Sequence, residues 1–266
     1  MRLSFRPPLD AVALVEFFAR RAVPGVEEVV DGAYRRSVRF PHGAGVVELR
    51  PPAEATLWLD DEGDTDAARA HCRALFDLDT DPAPIEAHLG ADPLIGPLVR
   101  ESPGRRVPGS VDGAEIAVRA VLGQQVSLAG AAALAGRLVQ TYGQPLTRPV
   151  GGITHLFPTA EALASADPES LPMPASRRTA LLGLTRALSN GEIELGPGLE
   201  ALPGIGPWTV SYIAMRALRD ADAFMPTDLG VRRGLERLGQ DPSAATALAE
   251  RWRPYRAYAM QHLWAV

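Results

Sequence analysis

The chain has 266 residues, 46% hydrophobic and 22% charged, enough for one large or two modest domains, and it holds no apolar run near the roughly 20 residues that span a bilayer. Its net charge of −5 argues against a protein that coats nucleic acid nonspecifically, and a single cysteine, Cys72, excludes an intrachain disulfide and an all-cysteine iron–sulfur cluster. All 27 basic residues are arginine, so no lysine side chain is available for Schiff-base chemistry.

The first part of the chain alternates strand and helix signals. Leu3–Phe5 predicts a strand stopped by Pro7 and Pro8, and Asp10 is placed to cap a helix carrying Val12, Leu14, Val15, Phe17, Phe18 and Ala22. Short strands follow over Val26–Val30, Tyr34–Phe40, Gly45–Arg50 and Ala55–Leu59, separated by Asp31-Gly32, His42-Gly43 and Pro51-Pro52. Residues Asp66–Phe76 return to helix and carry Cys72 on it. These elements predict a small α+β domain with an antiparallel sheet over residues 1–87. Most of the acidic excess lies between Glu54 and Asp92, which leaves the remainder close to neutral.

Residues 88–266 read as helical. Ala114–Leu122 is a helix interrupted by Gly123-Gln124-Gln125-Val126, after which Ser127 caps a second one ending at Tyr142-Gly143. Thr159 caps a short helix over Ala160–Ala166, and Ser176–Leu188 forms another. A loop over Gly191–Gly198 leads to the most informative segment, Leu202-Pro-Gly-Ile-Gly-Pro-Trp208, then to helices over Gly230–Leu238 and Ala244–Trp264. Gly204 and Gly206 provide a tight hairpin with uncovered amides, and Pro207 fits the first position of the helix that continues through Thr209, Val210, Tyr212, Ile213, Met215 and Leu218. A helix N-terminus preceded by bare glycine amides binds phosphate without a positive side chain.

Asp228 lies 20 residues beyond Trp208, after the apolar approach Phe224-Met225-Pro226-Thr227. By itself it reads as the N-cap of the helix that follows; a fixed carboxylate in a partly dry pocket also stabilises developing positive charge. Trp208 and Tyr212, four apart, share a helix face and with Trp264 are candidates for a base pocket, although core packing is the plainer reading of any one aromatic. Arg232, Arg233, Arg251, Arg253 and Arg256 are candidate phosphate contacts. The five histidines are scattered and Cys72 stands alone, so no side-chain set suggests a transition metal.

These segments, with Arg6-Pro-Pro, Arg105-Arg-Val-Pro-Gly, Ala117–Gln124, His155-Leu-Phe-Pro and Arg251-Trp-Arg-Pro-Tyr-Arg-Ala-Tyr, resemble the helix-hairpin-helix DNA glycosylases over nearly the whole chain, in particular the 3-methyladenine DNA glycosylase II branch. The resemblance implies a small N-terminal α/β domain before an all-helical glycosylase core, with the helix-hairpin-helix at about residues 195–218. It implies a monofunctional enzyme of base excision repair that flips alkylated purines such as 3-methyladenine and 7-methylguanine out of double-stranded DNA and hydrolyses their N-glycosidic bonds. Asp228 matches the catalytic aspartate; Trp208, Tyr212, Trp264 and Phe17 match base-pocket positions. Trp208 stands where lyase-type members carry lysine, which with the missing lysines argues against strand cleavage. Gln124, Gln125, Leu202, Gly204, Ile205, Gly206 and Thr209 fall at DNA-binding positions. Main-chain carbonyls of Glu200, Leu202 and Ile205 match a site for a monovalent cation, Na or K; no other cofactor is implied. Two departures stand out: Gln125 replaces the branch's leucine wedge, and Ala265 stands where related proteins place a tyrosine. A monomer in the bacterial cytoplasm, associated with the nucleoid, is the expected setting. A catalytically silent module that binds lesions or abasic sites is the alternative.

Overall fold

The computed structural model describes residues 1–196 and 198–266; residue 197, inside the predicted loop over Gly191–Gly198 and the hairpin region at about 195–218, lies outside the described residues. Helix α1 (Ala11–Ala19) opens the fold, capped as predicted by Asp10, whose carboxylate accepts from the Ala13 amide at 3.0 Å. It stops at Ala19 and not at Ala22: the amides of Arg21 and Ala22 turn to the carbonyls of Phe18 and Ala19, three residues back, and Pro24 keeps Val23 out of helical geometry. Strands β1 (Glu27–Val30), β2 (Ala33–Phe40), β3 (Gly43–Arg50) and β4 (Glu54–Leu59) form an antiparallel meander in sequence order. The β1–β2 turn places Asp31 and Gly32 both at positive φ, the two-residue hairpin geometry whose twist matches the strands. Helix α2 (Thr65–Leu75) and α1 cover one sheet face, with Leu14, Phe18, Tyr34, Leu49, Leu75 and Phe76 buried between them. Cys72 is buried there, and desolvation pushes its thiol up to about 12.

Leu3–Phe5 does not form the expected strand. Arg2 makes an isolated bridge to Glu54, and the Leu3 amide donates to the Ala53 carbonyl at 2.8 Å. The segment is short, and Pro7 and Pro8 have no amide to extend the ladder along the edge of β4.

The chain then turns helical: α3 (Pro82–Gly90), α4 (Gly96–Glu101), α5 (Gly113–Leu122), α6 (Leu128–Tyr142), α7 (Ala160–Ala164), α8 (Ala175–Ser189), α9 (Pro207–Arg216), α10 (Leu229–Arg237), α11 (Ala245–Ala249) and α12 (Arg256–Leu263). Ser127 and Thr159 cap α6 and α7 as their positions predict. The expected helix over Ala244–Trp264 is divided, since Pro254 removes an amide between α11 and α12. A hairpin that the sequence reading passed over, β5 (Pro145–Val150) and β6 (Ile153–His155), interrupts the helices and packs Leu146, Ile153 and Leu156 on Ala44 and Val46 of β3. No helix among the described residues is long and apolar enough to cross a membrane.

Two helical cores result. One joins α5, α6, α8 and α9; the other joins α3, α4, α10 and α12 around the fully buried Trp252. Trp208 and Tyr212 pack against both cores, and Trp264 packs against the second and against the core of the sheet domain. The sheet is locked to the helices by a buried polar cluster. Arg119 on α5 donates to Glu27 of β1 and to Glu115, both at 2.8 Å, and Arg36 of β2 donates to Glu115 at 2.6 Å. Burial pushes the Glu115 carboxyl up, but Arg36 and Arg119 outweigh it and hold the group below the usual carboxylate range. Such a set is costly to break, because the remaining partner becomes an uncompensated buried charge.

On α12, His262 is buried with its Nδ1 lacking a hydrogen-bond partner. Desolvation, helped by the nearby Arg105, brings its imidazole down to about 4. The unfolded chain therefore takes up a proton below about pH 6.5 that the folded chain refuses until about pH 4. Stability should fall as pH drops through that window, at up to about 1.4 kcal/mol per pH unit, and be flat above it. Urea midpoints of the wild type between pH 7.5 and 5 should show this slope, and His262→Gln should reduce it, leaving the share of His71, whose imidazole burial also lowers.

Candidate active site

Asp228 ends the segment Ala223-Phe224-Met225, whose side chains are buried, and its own amide donates to the Met225 carbonyl at 3.0 Å. The stretch is thus anchored by apolar burial and delivers Asp228 to the start of α10 in extended geometry. The cap reading of this residue holds, and the cap does not use up its carboxylate. Its Oδ1 caps the helix, accepting from the amides of Gly230 at 2.9 Å and Val231 at 3.1 Å. The same oxygen accepts from the indole N–H of Trp264 at 2.8 Å, and Oδ2 accepts from that of Trp208 at 3.0 Å. Four N–H groups fix the carboxylate, and the helix N-terminus adds favourable potential for its negative charge. Oδ2 carries one of the four, which leaves it acceptor capacity for a water or a cation in front of it.

A cleft of about 1400 Å³ opens at this carboxylate and is lined by Phe17, Tyr212, Trp264, both glutamines of the α5–α6 loop and the hairpin glycines, among others. Trp208 and Tyr212 stack with ring centroids 5.2 Å apart and planes 12° from parallel. Across from them Phe17 stacks on Trp264 at 6.2 Å, but it is 6% exposed and its ring is capped by the Arg21 guanidinium at 3.7 Å, so it backs the pocket wall. Burial alone would raise the Tyr212 phenol; the guanidinium groups of Arg216, Arg21 and Arg119 outweigh it and hold the phenol below its ordinary value. Arg216 also donates to the Tyr212 oxygen at 3.0 Å and to the carbonyls of Pro108 and Gly109, which holds its guanidinium against the Tyr212 phenol.

The hairpin has the predicted geometry. Gly204 sits at φ +80, where a Cβ would lie 2.7 Å from that of Ala180, so glycine is required twice over. The Ile205 amide donates to the Leu202 carbonyl at 3.1 Å, and Pro207 opens α9. Leu202 and Ile205 point their side chains into the first helical core and can offer the cleft only their backbone; Thr209 is 2% exposed. The Glu200 side chain is spent on the Gly198 amide. Among the described residues no group of three or more His, Cys, Asp or Glu could hold a metal ion.

The two glutamines part company. Gln124 donates its side-chain N–H groups to the Gly204 carbonyl at 2.9 Å and to Thr209 Oγ1 at 3.1 Å, tying the loop to the hairpin. Its carbonyl accepts from Arg177 at 2.6 Å. Gln125 is exposed at the loop tip with φ 57, a left-handed conformation uncommon outside glycine. Of the predicted phosphate contacts, Arg232 and Arg233 are exposed, while Arg251 pairs with Asp92 and Arg253 and Arg256 with Asp222.

Sequence reasoning missed Gly230, Arg21, Arg177 and Arg216. Gly230 had a legible signal, a glycine in the first turn after a candidate aspartate. A Cβ there would lie 2.5 Å from Trp264 Cδ1 and 2.9 Å from its Nε1.

A hairpin presenting bare amides, a carboxylate 20 residues on and a wall of stacked aromatics define a helix-hairpin-helix base-excision architecture. The chain belongs to the HhH-GPD superfamily of base excision DNA repair proteins, whose family model matches residues 118–254; that of the AlkA N-terminal domain matches residues 1–112. It is 38% identical to DNA-3-methyladenine glycosylase 2 of Escherichia coli, over 98% of this chain and 95% of that one. It is 46% identical, over 99% of its length, to a Mycobacterium tuberculosis protein named probable bifunctional transcriptional activator/DNA repair enzyme AlkA, but spans only 56% of that protein. The fold superimposes on the 3-methyladenine DNA-glycosylase of Archaeoglobus fulgidus with a TM-score of 0.83 at 23% identity, covering 99% of this chain and 97% of that one.

Gly230→Ala should push the Trp264 indole off Asp228 while leaving the fold intact. In proton NMR one indole N–H resonance should move upfield to the position it takes in Asp228→Asn, with those of Trp58 and Trp252 unmoved. An unchanged spectrum would mean that the close approach at Gly230 does not constrain the indole.

Proposed function

We propose that this chain is a monofunctional DNA glycosylase that releases alkylated purines, 3-methyladenine and 7-methylguanine, from double-stranded DNA. The observation that carries the reading is the Asp228 carboxylate, fixed by four N–H donors at the mouth of an aromatic cleft and adjoining the hairpin. The amides at Gly204 and Gly206 and the N-terminus of α9 bind a backbone phosphate. The exposed tip at Gln125 enters the minor groove as the lesion leaves the stack, with Gln124 keeping the loop in register with the hairpin. The flipped base lodges against Trp208, Tyr212 and Trp264, whose electron-rich faces favour a cation by about 0.5–2 kcal/mol.

As the bond from C1′ to the base nitrogen breaks, its electron pair goes to the base and positive charge develops on the sugar, where Asp228 stabilises it. A water then bonds C1′ through oxygen and gives its proton to the Asp228 carboxylate, leaving an abasic sugar. A methylated cationic purine departs neutral, which lowers the barrier further. With no lysine in the sequence, the product strand stays uncut.

The carbonyls of Glu200, Leu202 and Ile205 are the groups that would hold a monovalent cation at the hairpin. Neutral carbonyl oxygens without a carboxylate cluster suit a monovalent over a divalent ion, and the cation would supply positive charge for the phosphate.

Wild-type protein should release free 3-methyladenine and 7-methylguanine from methylated duplex DNA without cutting the strand, and folded Asp228→Asn should lose about a hundredfold or more. Tight binding to abasic DNA with no base release by either would favour a silent lesion binder.

A further inference from the structure

Arg21 follows α1 and lines the cleft next to Phe17 and Trp264, with its guanidinium carbon 3.7 Å and 5.8 Å from the two ring centroids. Its carbonyl is pinned by Arg119 at 2.7 Å, and one of its own N–H groups donates to the Phe17 carbonyl at 3.3 Å. The contrast with its neighbours is in charge pairing. Arg119 and Arg36 are matched by Glu27 and Glu115, whereas among the described residues no carboxylate lies within 4.0 Å of the Arg21 guanidinium, and the titratable groups that act on it most are Tyr212, Arg216 and Arg20. Desolvation by burial is the main reason its guanidinium comes down to about 10, so it remains a cation at neutral pH. A guanidinium has five donors; one goes to the Phe17 carbonyl and another is shared with the Tyr212 phenol, and the others are available to a ligand in the cleft. The whole cleft leans the same way, lined by six arginines and two aspartates.

This charge acts oppositely on two kinds of base. A cationic base must sit beside a like charge of low solvent screening. A neutral purine with a carbonyl gains charge-assisted hydrogen bonds instead. It also leaves with the bonding electron pair as an anion, which an adjacent guanidinium stabilises.

Building on the glycosylase reading, we propose that Arg21, with the Tyr212 phenol beside it, is a specificity-determining residue that engages the carbonyl of neutral oxopurines and favours them relative to cationic methylated adenine. Single-turnover release of hypoxanthine from deoxyinosine duplexes and of 3-methyladenine from methylated duplexes tests this in the wild type, Arg21→Met and Arg21→Lys, with thermal melts to confirm folding. Arg21→Met should lower hypoxanthine release by about tenfold to a hundredfold and raise 3-methyladenine release severalfold. Arg21→Lys, which keeps the charge and loses the fork, should shift the ratio less, and it carries the test if the methionine variant does not fold. Equal losses on both bases in either folded variant would reduce Arg21 to a support for Phe17 and overturn the proposal. Wild-type release of 3-methyladenine without hypoxanthine would overturn it while the glycosylase reading stands; release of neither base would remove both.

Discussion

The fold depends at its working end on one constraint: an ionised carboxylate must be held still and partly out of water without being neutralised by a cation. Asp228 meets it with N–H donors alone, two from the backbone at the start of α10 and two from the indoles of Trp208 and Trp264. Paired with an arginine, the group would lose the field it exerts on a neighbouring positive charge; dipolar donors orient it and leave its net charge in place. Three cores converge to supply those donors. Trp208 is carried by the helix of the hairpin, Trp264 by the end of α12, and the carboxylate by a buried apolar strap. The N-terminal sheet domain enters the same arrangement through Phe17 and Arg21 and is clamped to α5 by the buried Glu27, Arg36, Glu115 and Arg119.

Electrostatics are divided along the chain. The acidic surplus that makes the net charge −5 lies mostly between Glu54 and Asp92, while the charged residues that line the cleft are six arginines and two aspartates. A molecule can therefore be acidic in total and attractive to a phosphate backbone at one face. Several arginines near the end of the chain are occupied by Asp92, Asp222 and Glu250 and brace α11 and α12.

Local signals made much of this visible in the sequence. The caps at Asp10, Ser127 and Thr159, the four-strand meander and the turn at Gly204 depend on short-range chemistry and were legible. Asp228 as a cap was equally legible, and the catalytic role proposed for it came from the family resemblance. What escaped depends on contacts between distant segments. Nothing near Gly230 in sequence announces the Trp264 ring against it, and nothing near Glu115 announces Arg36. The β5–β6 hairpin escaped because its prolines and glycines read as connector, while its strands exist by leaning on β3. Residues Leu3–Phe5 erred in the other direction: β propensity was present, but the ladder was too short.

The proposed chemistry has Asp228 act on positive charge developing at the sugar. It is tested most directly by measuring affinity for duplex DNA carrying a cationic pyrrolidine in place of the lesion sugar, against the neutral tetrahydrofuran analogue, in the wild type and Asp228→Asn. The wild type should prefer the cation clearly, and the asparagine variant should lose that preference while retaining binding to the neutral analogue. Equal affinity for the two analogues in the wild type, or the same preference in both proteins, would contradict it.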